Sequence, residues 1–147
     1  MDAQDSRVRL LVYESFRDTG RAPDIQSIAR HVGIEAGEVT SSLERLEASR
    51  ALALTPVTRN IWMAHPFSAV PTPHRVEALG RIHWANCAWD ALAIPSLLGA
   101  DATSRGRCGD CGEPLSFEFR AGELVSGDGL VHFVVPPRRF WENVAYT

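Results

Sequence analysis

The sequence predicts an α+β protein: a three-helix, winged-helix-like region over residues 1–66, then a small core over residues 67–147. In that core a central helix is expected to lie on a mixed or antiparallel sheet. Three observations lead there. Apolar residues recur at helical spacing through the first third of the chain, two short apolar pieces follow around a turn, and from Leu115 the pattern changes to period two.

In the first helix Val8, Leu11, Val12, Ser15 and Phe16 form one stripe, and Gly20 ends it. In "APDIQSIARHVG" Asp24 is placed to cap a second helix, Ile25, Ile28, Ala29 and Val32 face inward, and Gly33 terminates it. A third helix over roughly 35–49 puts Val39, Leu43 and Leu46 on one side. "ALALT" and "NIWMA", separated by "PVTR", read as a β-hairpin in the position of a wing. The prolines of "HPFSAVPTPHRV" forbid a helix and favour an extended crossing. After it, "VEALGRI" suggests a short strand. "NCAWDALAIPSLLG" suggests a helix capped by Asn86, closed by Gly99 and kinked or split at Pro95. "LSFEF" alternates, "RAGE" turns, and "LVHFVV" reads as a second, more buried strand, before "RRFWENVAYT" begins as helix or loop.

Composition narrows the function. The chain is 45% hydrophobic and 22% charged, which belongs to a globular protein and not to a disordered one. A net charge of −3 gives no general attraction to nucleic acid or anionic membrane. No run is long enough to cross a bilayer and the N-terminus lacks a signal-peptide pattern, so a cytoplasmic location is the expectation. The third helix carries Glu35, Glu38, Glu44 and Glu47 against Arg45, with Arg50 and Arg59 the cations nearby. Such a face repels phosphate, so a DNA-reading role ranks below a scaffold or dimerisation role for this region. Three cysteines, Cys87, Cys108 and Cys111, argue for thiol or metal chemistry over a disulfide framework.

The segment "HWANCAWDALAIP" is apolar almost throughout, yet it holds Cys87 and Asp90 three residues apart. With Asn86 as cap, Cys87 takes the first helical position and Asp90 follows one turn later on the same face. Backbone N–H groups favour a thiolate there, while the neighbouring carboxylate and apolar residues such as Trp84 and Trp89 oppose charge. The expected compromise is one shared proton: thiolate with carboxylic acid, or thiol with carboxylate. A soft nucleophile beside a proton donor suits cleavage of a bond to a soft metal. Taken alone, the residues favour the plainer reading of a small core cysteine beside a satisfied carboxylate.

"WANCAWDALAIPSLLG", followed by "RCGDCGEPLSFEF" and "VHFVVPPRRFW", resembles the alkylmercury lyase (organomercurial lyase) family, and the resemblance covers nearly the whole chain. It implies a winged-helix-like region ahead of a lyase core, with Cys87 and Asp90 in the active site. The implied reaction is protonolysis of a carbon–mercury bond to a hydrocarbon and Hg(II) held by sulfur. Cys87 would be the mercury-binding thiolate and Asp90 the proton donor, with an organomercurial as substrate and no resident cofactor. The family's core uses a second active-site cysteine after the strand that resembles "VHFVVP", whereas no cysteine follows Cys111 here and the sequence stops at Thr147. One thiol activates the carbon–mercury bond less than two. A mercury- or soft-metal-binding protein without turnover is therefore the first alternative, and a metal-responsive DNA-binding regulator the second.

"CGDCG" has the spacing of half a zinc ribbon or of a redox pair. Glycines 106, 109 and 112 indicate a tight turn into "LSFEF", which argues against a redox motif opening a helix. Cys108 and Cys111 are candidate soft-metal ligands, with His132 or His83 as possible additions. A glycine-rich turn with incidental cysteines is the plain alternative.

Overall fold

A computed structural model of the chain describes residues 2–144. Three helices open it: α1 (Ala3–Thr19), α2 (Ile25–Val32) and α3 (Ala36–Ala48). Each starts and stops on local chemistry. The carboxylates of Asp2 and Asp24 accept the backbone N–H of Asp5 and Ser27, and Glu35 with Glu38 forms a reciprocal capping box. Gly20 closes α1 at φ 72°, and a Cβ there would meet the carbonyl oxygen of Ile82 at 2.4 Å. Only glycine satisfies both the left-handed turn and that close approach.

The helices join through Val8, Val12, Phe16, Ile28, Val32, Val39, Leu43 and Leu46, all buried. Asp5 of α1 is buried as well, and Arg45 of α3 donates to its carboxylate at 2.7 Å and 3.1 Å. The guanidinium, with help from the Ser42 hydroxyl, holds the Asp5 carboxyl below its usual range against the cost of burial. Arg59 is turned to Glu47 in the same way, so two of the cations near α3 are engaged within the fold.

Eight strands follow: β1 (Ala53–Leu54), β2 (Ile61–Ala64), β3 (Phe67–Ser68), β4 (Arg75–Ala78), β5 (Arg81–Ala85), β6 (Ala102–Arg107), β7 (Pro114–Arg120) and β8 (Glu123–Ser126). They form one sheet in the order β1-β2-β3-β5-β4-β6-β7-β8, and every pairing is antiparallel. Helix α4 (Ala88–Leu98) lies on β4, β5 and β6. Phe67 joins the helices to the sheet: its ring stacks on Phe16 at 5.1 Å and meets Tyr13 edge-on at 6.3 Å. The protein is thus α+β, as the sequence predicts, with the hairpin β1–β2 continuing directly into the main sheet.

The fold corrects four local expectations. "VEALGRI" is not one strand but the β4–β5 hairpin, turned at Leu79 and Gly80 with φ of 54° and 70°. Two consecutive left-handed residues are what a two-residue hairpin turn requires. "LVHFVV" makes no ladder; the partner of β7 is β8, and residues 130–135 run across α4 instead. Helix α4 passes through Pro95 without dividing. Proline removes the N–H that would reach the carbonyl of Ala91, and the buried hydroxyl of Ser104 donates to that oxygen at 2.6 Å in its place. The fourth correction, at the start of α4, belongs to the site. A 3₁₀ helix, Pro137–Glu142, follows the crossing segment, and residues 145–147 of the expected terminal element lie outside the described residues. No helix among the described residues is long and apolar enough to cross a membrane.

Candidate functional site

Helix α4 brings Cys87 and Asp90 together, one residue out of the expected register. Cys87, not Asn86, is the N-cap, with extended backbone at φ −146° and ψ 179°, and Ala88 is the first helical residue. Asn86 does not cap because its side-chain amide is spent elsewhere, donating to Nδ1 of His65 at 3.2 Å. In the N-cap position the Cys87 sulfur faces the backbone N–H groups of Trp89 and Asp90 without forming a capping hydrogen bond. Those dipoles pull its pKa down, but burial pushes it up and wins, and the Asp90 charge adds to the rise. Of the two ways to share one proton that the sequence leaves open, desolvation favours the one with the thiol at Cys87.

Asp90 is mostly buried, with 14% of its side chain exposed. One of its oxygens lies 3.5 Å from Nδ1 of His65, the same nitrogen that takes the Asn86 amide. His74, just before β4, is near enough for the Asp90 charge to favour its protonated form, though burial outweighs this and lowers its pKa. Asp90 therefore sits between a thiol and two imidazoles. His65, Asn86 and His74 are site residues that the sequence pattern did not select. His65 is separated from Asp90 by 25 positions and reaches it only because β2, β3 and β5 are neighbours in the sheet.

The crossing segment roofs the start of α4. Cys87, Ala88 and Trp89 line a cavity of about 80 Å³ with Val131, Phe133, Val135 and Phe140. Phe133 meets Trp89 at 6.0 Å and Phe140 at 5.6 Å, and Trp141 meets His65 edge-on at 5.5 Å. A second cavity of similar size lies on the other flank of α4, between Ala88, His74, Arg105, Gly106 and Val131. A much wider groove, about 1110 Å³, opens at the opposite end of the sheet around Arg21, Gly80, Arg81 and Arg120. It is lined by no cysteine or histidine. Chemistry and not volume selects the site at α4.

Cys108 and Cys111 lie in the loop between β6 and β7, and neither lines the Cys87 cavity. His83 does not join them: its side chain is completely buried, its ring sits 5.7 Å from Phe67, and burial lowers its pKa. His132 faces the Cys87 cavity instead. Among the described residues no three of His, Cys, Asp and Glu are clustered so as to hold a metal ion.

A half-buried thiol, a carboxyl group one helical turn away and an apolar roof stand together on an antiparallel α+β core, an arrangement chemically able to meet a soft electrophile. A family model described as MerB, alkylmercury lyase, matches residues 67–147, more than half of the chain, and the protein belongs to that family. A solved structure, the crystal structure of the mercury-bound form of MerB2, is similar over 86% of this chain, with a TM-score of 0.72 and 26% identity. The alignment covers 61% of that chain, so the present sequence spans about three-fifths of its length. No curated protein matched.

Proposed function

We propose that the protein cleaves carbon–mercury bonds by protonolysis at Cys87 and Asp90. The observation that carries this reading is their shared place at the start of α4, under the apolar roof of Phe133 and Phe140. The roof suits the organic group of the substrate, and the sulfur suits its metal.

Capture and cleavage balance as two steps. The Cys87 thiol displaces the leaving ligand X⁻ of R–Hg–X, forming S–Hg–R, and its proton passes to the Asp90 carboxylate. A small thiolate from solution then joins the mercury and raises electron density on the carbon. Asp90 returns the proton to that carbon, releasing R–H and leaving Hg(II) between two sulfurs, with the carboxylate regenerated. Burial of Cys87 gives this order a physical basis: a neutral thiol rests comfortably in the cavity, and deprotonation is coupled to metal binding. His65, engaged by the Asn86 amide, lies against the Asp90 carboxyl group. Mercury is substrate and product here, not a resident cofactor.

A second reading, mercury binding without turnover, is favoured by the cavity lining, which holds one thiol. The two are separated by supplying phenylmercury with excess small thiol and measuring benzene. The lyase reading expects repeated benzene release from the native sequence and a fall of at least ~10³-fold in Cys87→Ser. Stoichiometric phenylmercury binding with no benzene from the native sequence overturns the lyase and leaves the binding protein.

A further inference from the structure

The β6–β7 loop carries the two cysteines that the cleavage chemistry leaves unused, and its build is that of a metal-binding knuckle. The loop is closed on itself. Cys108 N–H donates to the Glu113 carbonyl at 2.8 Å, Gly112 N–H donates to the Cys108 carbonyl at 3.0 Å, and Arg107 Nη1 donates to the Gly112 carbonyl at 3.0 Å. Gly112 makes the return at φ 74°. This folding brings the backbone N–H groups of Cys111 and Asp110, and the Cys111 side chain, to the neighbourhood of the Cys108 sulfur. Cys108 is partly exposed and Cys111 exposed. Two cysteines three residues apart on one closed turn, one partly and one openly exposed, form a preset dithiol. With no third ligand clustered on them among the described residues, they suit a soft ion content with two donors and not four-coordinate zinc.

The sheet places this loop beside Cys87. Ala85 N–H donates to the His74 carbonyl, and Arg75 is paired with both Trp84 and Arg105, which brings Gly106 opposite His74. Ala85, His74 and Gly106 thus occupy one rung. Cys87 stands two residues beyond Ala85, and Cys108 two residues beyond Gly106, at the same end of the sheet. Their segments leave it two strand spacings apart, about 10 Å. The cavity between Ala88, His74, Gly106 and Arg107 lies between them.

We propose that Cys108 and Cys111 form a second thiol site that binds Hg(II) and receives it from Cys87 after cleavage. The transfer, though not the binding, rests on the lyase reading. The exchange balances without redox change. Hg(II) held by Cys87 and a small thiolate becomes Hg(II) held by Cys108 and Cys111. The two loop thiols give up two protons, and Cys87 and the departing small thiolate take them up. The direction is set by chelation: once one loop sulfur is attached, the second attack is intramolecular, whereas a monothiol must be recruited from solution.

The test uses mercuric chloride on Cys87→Ser, which removes the cleavage site and leaves the loop intact. Competition against 2-mercaptoethanol, read by sulfur-to-mercury absorption and by intact mass, is expected to show one Hg(II) retained per chain. Retention should fall ~10²-fold in Cys87→Ser with either Cys108→Ala or Cys111→Ala. Equal retention by those double variants, or none by Cys87→Ser, overturns the site. For the transfer, the native sequence is given one equivalent of phenylmercury and peptides are mapped after benzene is released. Mercury bridging Cys108 and Cys111 is expected, and mercury remaining on Cys87 with the loop thiols free overturns the hand-off. Absence of benzene overturns the lyase reading and the hand-off with it, while the mercuric chloride result stands by itself.

Discussion

Cys87 and Cys108 leave the same end of one sheet, each two residues past a common rung, yet their sulfurs meet opposite environments. Cys87 starts a helix and has backbone dipoles aimed at it, but it lies under an aromatic roof, and burial keeps it protonated. Cys108 has no helix. Its loop curls so that the amides of Cys111 and Asp110 face the sulfur in the open, and its pKa is lowered. Helix polarity is the weaker influence here and desolvation the stronger one. A buried thiol that ionises only when metal arrives suits capture of an apolar organomercurial. A partly exposed thiol of lowered pKa beside an exposed second cysteine suits taking a bare ion.

Site-resolved alkylation with iodoacetamide gives the largest expected contrast. At pH 7 Cys108 should react at least ~10-fold faster than Cys87, because thiolate fraction favours it. The sign with pH follows from the shifts: Cys108 reactivity levels off below the ordinary thiol range, whereas Cys87 reactivity keeps rising as pH climbs through and above it. Faster labelling of Cys87, or equal pH profiles, breaks the comparison. A smaller effect sharpens it from the side of the scaffold, since Ser104 ties α4 to β6 and so fixes one thiol relative to the other. Ser104→Ala should destabilise the fold by about 1–3 kcal/mol in urea unfolding, the cost of orphaning the Ala91 carbonyl. Adding Pro95→Ala restores an N–H for that carbonyl and should recover most of the loss. A Ser104→Ala that costs the same in both backgrounds contradicts this account of how α4 passes through Pro95.

Much of the scaffold was legible because its signals are local. Asp24 and the glycines at 20, 33 and 99 act within one turn, and the structure places them at helix ends. The β4–β5 hairpin was missed because its turn begins with Leu79, a residue that seldom adopts positive φ, so "EALGR" carries no turn signature beyond one glycine. "LVHFVV" is apolar like a buried strand, yet its apolar residues serve as a roof over α4. Composition cannot distinguish those two uses. The Cys87–Asp90 pair was readable from its one-turn spacing. The contact of His65 with Asn86 and Asp90 spans 21 and 25 positions, and it is that contact which moved the helix cap by one residue. Local propensity for Asn as a cap lost to a long-range hydrogen bond.

The central claim is that Asp90 returns a proton to the carbon of a substrate already held by Cys87. A single turnover tests it: one equivalent of phenylmercury is bound to the native sequence and to Asp90→Asn, excess small thiol is added, and benzene is timed. Both proteins should bind one phenylmercury at Cys87, and the native sequence should release about one benzene per chain, while Asp90→Asn releases it at least ~10²-fold more slowly. Benzene appearing at the native rate from Asp90→Asn would contradict the account.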